Sequence, residues 1–309
     1  FWLKCARMSD SDIESASFGP SCCLGDLPAC WAMSKDLGLP PLRQRVFFVT
    51  GATDGIGEFT AQQLARQGCT VLVHGRNPGK VERVVGALKA MGSAGAKGFV
   101  ADLSLMSDVR RLGAEVAEGY PIIHGLLNNA GTFAGDYTGR RQETAEGNVY
   151  SLAVNVMAPF LLTSMLLDNV RNSGAGRVLV TSSISAGSRD ALDDLQCSSG
   201  WSDHRAYEVS KLCDAMIAME LHDRYGDPPR LTFHTMDPGT VDTKMLRAGW
   251  GQGAPVSTAT TSFEMLTEDQ YQQSSGSGSG YCCGEGRTSR KQLWSELEQL
   301  TGAKWPSVE

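Results

Sequence analysis

Arg45-Val46-Phe47-Phe48-Val49-Thr50 runs directly into Gly51-Ala52-Thr53-Asp54-Gly55-Ile56-Gly57, and this junction decides the fold. The first stretch is short, β-branched and aromatic, apolar on both faces as a buried parallel strand should be. The residues from Gly55 to Gln67 then have the length and amphipathic spacing of a helix. Outward from this unit the alternation repeats. Further strands are expected at Thr70 to His74, Gly98 to Ala101, Gly125 to Asn128, Arg177 to Thr181 and Leu231 to Thr235. Helices are expected at Gly79 to Met91, Ser107 to Glu118, Gly147 to Asn172 and Asp203 to Tyr225. Strands alternating with helix-length segments are the signature of βαβ units with right-handed crossovers. The chain is therefore expected to be α/β, a doubly wound parallel sheet of the Rossmann type in a single domain over 41–309.

The flanks read differently. Residues 1–40 lack periodicity and combine several cysteines and serines with Asp10, Asp12, Glu14 and Asp26, which predicts a disordered extension. Targeting peptides are usually Arg-rich and acid-poor, so an organelle address is disfavoured and a cytoplasmic location is the expectation. The numbering opens on Phe1, and Met33 stands just ahead of the first regular segment. After Thr243 the regularity fades into a variable stretch near 244–280, which ends in a Ser-Gly run over 274–280 and is expected to be a flexible loop shaping a substrate pocket. Leu293, Leu297 and Leu300, beside Trp294, predict a closing helix near 290–300.

Composition narrows the partners. The 309 residues are 41% hydrophobic and 20% charged, with a net charge of -6 and no basic block, which argues against nucleic acid. Nine cysteines, two pairs of them adjacent and none in C-x-x-C spacing, predict free thiols in a reducing compartment and no metal site. No uninterrupted apolar run in the sequence approaches the ~18 to 20 residues of a membrane span. The long helices Gly147 to Asn172 and Asp203 to Tyr225 could pair across a two-fold, giving a homo-oligomer.

The glycine spacing after the first strand is G-x-x-x-G-x-G, placed where a strand gives way to a helix. Glycine lets the backbone approach a phosphate closely, and the helix N-terminus offers free N–H groups and a favourable dipole. A tight strand-to-helix turn would also explain it. At the end of the second strand, Val73-His74-Gly75-Arg76-Asn77 carries no acid to hold a ribose diol, while Arg76 suits an extra phosphate. NADP(H) is thus expected in preference to NAD(H).

Tyr207-Glu208-Val209-Ser210-Lys211 puts a phenol and an ammonium on one helix face, four residues apart. A tyrosine titrates near pH ~10, and a neighbouring ammonium favours its phenolate, which makes it usable as a general acid/base. Ser182 and Ser183 follow the fifth strand at the carboxyl edge of the sheet, where doubly wound folds bind ligands. Asn155 is an amide inside an apolar helix, either a satisfied core group or one that positions a water near Lys211.

Taken together, T-G-A-T-D-G-I-G from Thr50, A-D-L from Ala101, N-N-A-G from Asn128, Asn155, Ser183, Tyr207, Lys211 and P-G-T from Pro238 resemble the short-chain dehydrogenases/reductases over about Arg45 to Thr243. The long loop between Ser183 and Tyr207, with Asp194-Leu195-Gln196, is similar to the group that includes retinol dehydrogenases and protochlorophyllide reductases. The resemblance implies that Asn155, Ser183, Tyr207 and Lys211 are catalytic. It also implies a cofactor site of Thr50, Gly51, Thr53, Asp54, Gly55, Ile56, Arg76, Asp102, Leu103, Asn129, Gly131, Pro238, Gly239 and Thr240, together with Tyr207 and Lys211. The implied reaction is hydride transfer between nicotinamide and a small-molecule carbonyl or alcohol. A dinucleotide-binding sensor or scaffold without turnover, and a reductase of carbon-carbon double bonds, are the competing readings.

Overall fold

The computed structural model describes residues 39–133, 140–187, 189–273, 277–279 and 287–307. The extension expected over 1–40 lies outside them apart from its last two residues. Three cysteines fall within the described residues, Cys69, Cys197 and Cys213, and all are buried free thiols.

Each apolar run becomes a strand: β1 Val46–Val49, β2 Thr70–Gly75, β3 Gly95–Val100, β4 Gly125–Asn128, β5 Gly176–Thr181 and β6 Leu231–Met236. β1, β2, β4, β5 and β6 are buried nearly throughout, as their two-faced apolar character requires. β3 begins three residues ahead of the expected Gly98 and ends one short of Ala101. Gly95, Ala96 and Lys97 carry little apolar signal, yet they pair with Thr70, Val71 and Leu72 at the sheet edge, where backbone bonds suffice.

The intervening helices are α1 Gly55–Arg66, α2 Pro78–Ala90, α3 Met106–Gly119, α4 Ala158–Arg171 and α5 Asp203–Tyr225. Side-chain caps start several of them: Asp54 accepts from Gly55 N at 3.0 Å, Asn77 from Lys80 N at 3.0 Å and Ser202 from Arg205 N at 3.0 Å. The helix expected from Gly147 starts later. Gly147 sits at φ +81 in a turn, helix begins at Tyr150–Leu152, and Ala153–Met157 is a π-helical turn leading into α4.

From Tyr150 to Arg171 this helical path is 22 residues long, and its most apolar 18-residue stretch has mean hydropathy 1.6, long and apolar enough by composition to cross a membrane. Its most apolar window is 83% buried inside the fold, so its apolarity is that of a core helix. α5 is likewise enclosed, with Glu208 and Asp223 its exposed side chains. A final helix, α8 (Arg287–Thr301), packs on α5. Trp294, 1% exposed, meets Phe160 and Trp305 at ring separations of 4.8 and 4.5 Å, and the Arg224 guanidinium lies 4.4 Å over its ring. Within the chain α4 packs against α3 and α5 against α8.

The stretch expected as a loop over 244–280 is more regular than its composition suggests. It contains α6 (Lys244–Gly249), α7 (Thr261–Thr267) and, within the Ser-Gly run, β7 (Ser277–Ser279) paired in parallel with His234, Thr235 and Met236 of β6. The seven strands run in the order β3-β2-β1-β4-β5-β6-β7, every neighbouring pair parallel. The direction in which successive strands are added to the sheet reverses between β1 and β4. A crevice opens there beyond the carboxyl ends of the strands, as doubly wound topology dictates.

Candidate active site

That crevice is a cleft of about 630 Å³. At its base the glycine-rich turn links β1 to α1. Gly51 has φ +63, and a Cβ there would lie 2.8 Å from the Ala130 backbone; a Cβ on Gly57 would lie 2.4 Å from both Asn129 Nδ2 and Gly51 O. The turn is thus packed against the N-N-A-G loop after β4, with the start of α1 facing the cleft.

Thr50, expected to touch a cofactor, is instead buried beneath the turn and does not line the cleft. Its hydroxyl donates to Leu127 O and accepts from Asn129 N and Ala130 N, each of the latter at 3.0 Å, so it fixes one loop to the other. Gly51, Thr53, Asp54, Gly55, Ile56, Arg76, Asp102, Leu103, Asn129, Gly131, Pro238, Gly239 and Thr240 all line the cleft. Arg76 is exposed at the rim and donates to the Tyr150 hydroxyl at 2.8 Å. Asp54 pairs with Lys244 of α6 across the cleft, and this hydrogen bond is the main cause holding the Asp54 carboxyl below its ordinary range.

His74, next to last in β2, lies under the same turn, 3% exposed. Its Nδ1 accepts from Gly51 N at 3.3 Å, so the proton resides on Nε2, which donates to Ala101 O at 3.2 Å. Burial pushes the imidazole down to about 4, and it stays neutral at physiological pH.

Ser183, Tyr207 and Lys211 line the same cleft. The Tyr207 and Lys211 side chains share one helix face, with Lys211 Nζ 5.6 Å from the phenol ring centre. Ser182 donates its hydroxyl to Lys211 O at 2.7 Å, tying α5 to the end of β5. The lysine Nζ donates to Thr181 O at 2.7 Å and to Asp214 Oδ2 at 2.8 Å. Asn155 lies in the π-helical turn and does not line the cleft. Its amide accepts from Thr132 N at 2.8 Å and donates to Thr132 O and to Ser210 Oγ, at 3.2 and 2.9 Å. The side chain is thus satisfied and joins the cleft wall to α5; π turns of this kind recur at functional sites.

Beside Tyr207 stands an aromatic wall that sequence reasoning did not single out. Phe133 and Trp250 rings are 5.6 and 5.2 Å from the phenol and 4.5 Å from each other, with His204 packed against both. Met245, Leu246 and the exposed Ile184 extend the apolar lining. Their positions gave one usable signal: Phe133 follows N-N-A-G by two residues, on the loop that any ligand at this edge must pass.

The matches to known proteins agree with this geometry. A family model described as short chain dehydrogenase matches residues 45–251. The chain is 41% identical to polyprenol dehydrogenase of Mus musculus over 69% of its own length and 64% of that protein's. It is 33% identical to retinol dehydrogenase 12 of Bos taurus over 66% of its length and 63% of that protein's. A crystal structure of a short chain dehydrogenase from Shigella flexneri 2a str. 301, complexed with NADP, superposes with a TM-score of 0.62 at 27% identity, covering 76% of this chain and 95% of the other. The chain belongs to the short-chain dehydrogenase family. It spans a little under two thirds of the mammalian relatives named here.

Proposed function

We propose that the protein is an NADP-dependent oxidoreductase that interconverts an apolar alcohol and its carbonyl compound. The observation carrying this reading is the meeting, in one cleft, of Ser183, Tyr207 and Lys211 with a glycine-rich turn and an apolar wall. The cradle fits a dinucleotide: Gly51, Gly55 and Ile56 line the cleft where α1 begins, and the start of this helix presents N–H groups to an anion. Gly51, Gly55 and Ile56 would hold the pyrophosphate, Arg76 the extra phosphate, Asp102 and Leu103 the adenine side, and Asn129, Gly131 and Pro238 to Thr240 the remainder.

The bound dinucleotide supplies or receives the hydride. Tyr207 moves the proton at the substrate oxygen, Ser183 donates a hydrogen bond that orients this oxygen, and Lys211 keeps positive charge beside the phenol. Phe133, Trp250 and Met245 exclude water from the reacting end and favour a hydrocarbon substrate. The names of the relatives, polyprenol and retinol dehydrogenases, make isoprenoid alcohols the first compounds to try. The side chains needed for turnover are all present, which favours an enzyme over a sensor or scaffold.

The test follows NADPH formation at 340 nm with a panel of isoprenoid and straight-chain alcohols, for wild type and Tyr207→Phe. Turnover is expected to fall by about 10²-fold or more in the variant, with NADPH affinity unchanged. Equal turnover in both proteins would refute the role of Tyr207.

A further inference from the structure

Helix α5 holds an ionisable group that the proton transfer itself does not require. Asp214 lies three residues beyond Lys211, where an acid interrupts Leu212-Cys213 and Ala215-Met216-Ile217. The two side chains are 1% and 5% exposed. Asp214 Oδ2 accepts from Lys211 Nζ at 2.8 Å, while its Oδ1 is buried with no partner. A half-satisfied buried carboxylate is a poor source of stability, since an apolar pair of similar volume commonly does as well or better. Its main consequence falls on the lysine. With Thr181 O and Asp214 taking one N–H each, two of the three ammonium donors are fixed and the group is oriented beneath Tyr207.

We propose that Asp214 is a positioning residue for the reacting pair, which anchors the Lys211 ammonium against Thr181 and offsets part of its positive charge, so that negative charge forms on the Tyr207 oxygen at a higher pH than an unopposed lysine would set. The proposal rests on the reading of Tyr207 and Lys211 given above.

The charge states are consistent with it. Burial works against the Lys211 ammonium, but Asp214 and then Tyr207 raise it overall, so the lysine stays protonated. Burial pushes the Asp214 carboxyl up, against the pull of the Lys211 ammonium. The elements packed around the pair add few titratable groups. β5 offers Thr181 and Ser182, the π-helical turn offers the Asn155 amide, and His204 stands in the aromatic wall. Cys213 on α5 is kept a thiol by burial; Cys197 from the preceding loop and Glu296 from α8 act on it. Burial raises the Cys197 thiol and the Glu296 carboxyl as well. Asp214 is the acid in direct contact with Lys211.

The experiment reads the ionisation of one phenol. Tyrosinate absorbance at 295 nm is recorded against pH in the presence of NADP⁺, and the Tyr207→Phe spectrum is subtracted from wild type to isolate residue 207 among the 7 tyrosines. The same subtraction is made in the Asp214→Asn background. The midpoint is expected to move to lower pH by about 1 unit in Asp214→Asn, because the ammonium is then unopposed. A midpoint that does not move, or no resolvable ionisation in either background, overturns the proposal. Asp214→Ser serves if Asp214→Asn does not fold, and failure of both to fold makes the carboxylate a structural element and also overturns it. Turnover retained by Tyr207→Phe would instead remove the underlying reading, which keeps the two failures distinct.

Discussion

Lowering the pH should release the glycine-rich turn through a single imidazole. His74 bridges Gly51 N and Ala101 O, and it can accept from Gly51 only while Nδ1 carries no proton. Its ionisation falls from an ordinary 6.5 to about 4 in the folded protein because the ring is buried. The folded-state value is depressed, so the contribution to stability is complete above about 6.5 and is lost as pH falls through 4. A tenfold difference in proton affinity between the folded and unfolded chain corresponds to about 1.4 kcal/mol, and integrating from neutrality to pH 4 gives a loss of about 3 kcal/mol. The assay is urea unfolding at pH 7 and pH 4 for wild type and His74→Gln. Other acids and His124 titrate in both proteins and cancel in the comparison. Wild type should lose about 3 kcal/mol more than the variant between the two pH values, and its NADPH affinity should fall over the same range. Parallel pH profiles would refute the reasoning, since the imidazole would then not be the group that titrates.

Two further substitutions probe the pocket wall and the closing helix. Trp250→Ala, which opens the aromatic wall beside Tyr207, should raise KM for bulky apolar alcohols far more than for short ones; equal changes across a chain-length series would remove Trp250 from the substrate pocket. Trp294→Ala deletes a fully buried ring packed on Phe160 and Trp305, and the cavity should lower the unfolding free energy by about 3–5 kcal/mol in chemical denaturation. A loss under about 1 kcal/mol would mean that α8 contributes little to the fold.

The strands and helices of the sheet were legible because parallel strands buried on both faces leave unbroken apolar runs, and α1 and α2 carry a cap and a one-sided apolar stripe. The same logic failed at both edges. Gly95 to Lys97 of β3 and Ser277 to Ser279 of β7 are held by backbone bonds to a single neighbour, which ask nothing of the side chains, so composition reads them as loop. The core helix Tyr150–Arg171 hid its membrane-like hydropathy from a search for uninterrupted apolar runs, since Ser151, Asn155, Thr163 and Ser164 punctuate it while remaining buried. In the cleft, motif residues were visible through spacing, but their supports were not. Thr50 looked like a cofactor contact and is a clamp beneath the turn. His74 looked like part of a strand and is that turn's second clamp. Asp214 was not visible through spacing either, and its role rests on the geometry of Lys211.

Whether the cleft holds a dinucleotide is read by a fluorescence titration of the purified protein with NADPH and with NADH, for wild type and Arg76→Ala at one salt concentration. Saturable binding is expected, tighter for NADPH, with Arg76→Ala losing roughly one to two decades of NADPH affinity and little of its NADH affinity. Binding of neither cofactor by well-folded wild-type protein would show that the cleft is not a nicotinamide dinucleotide site.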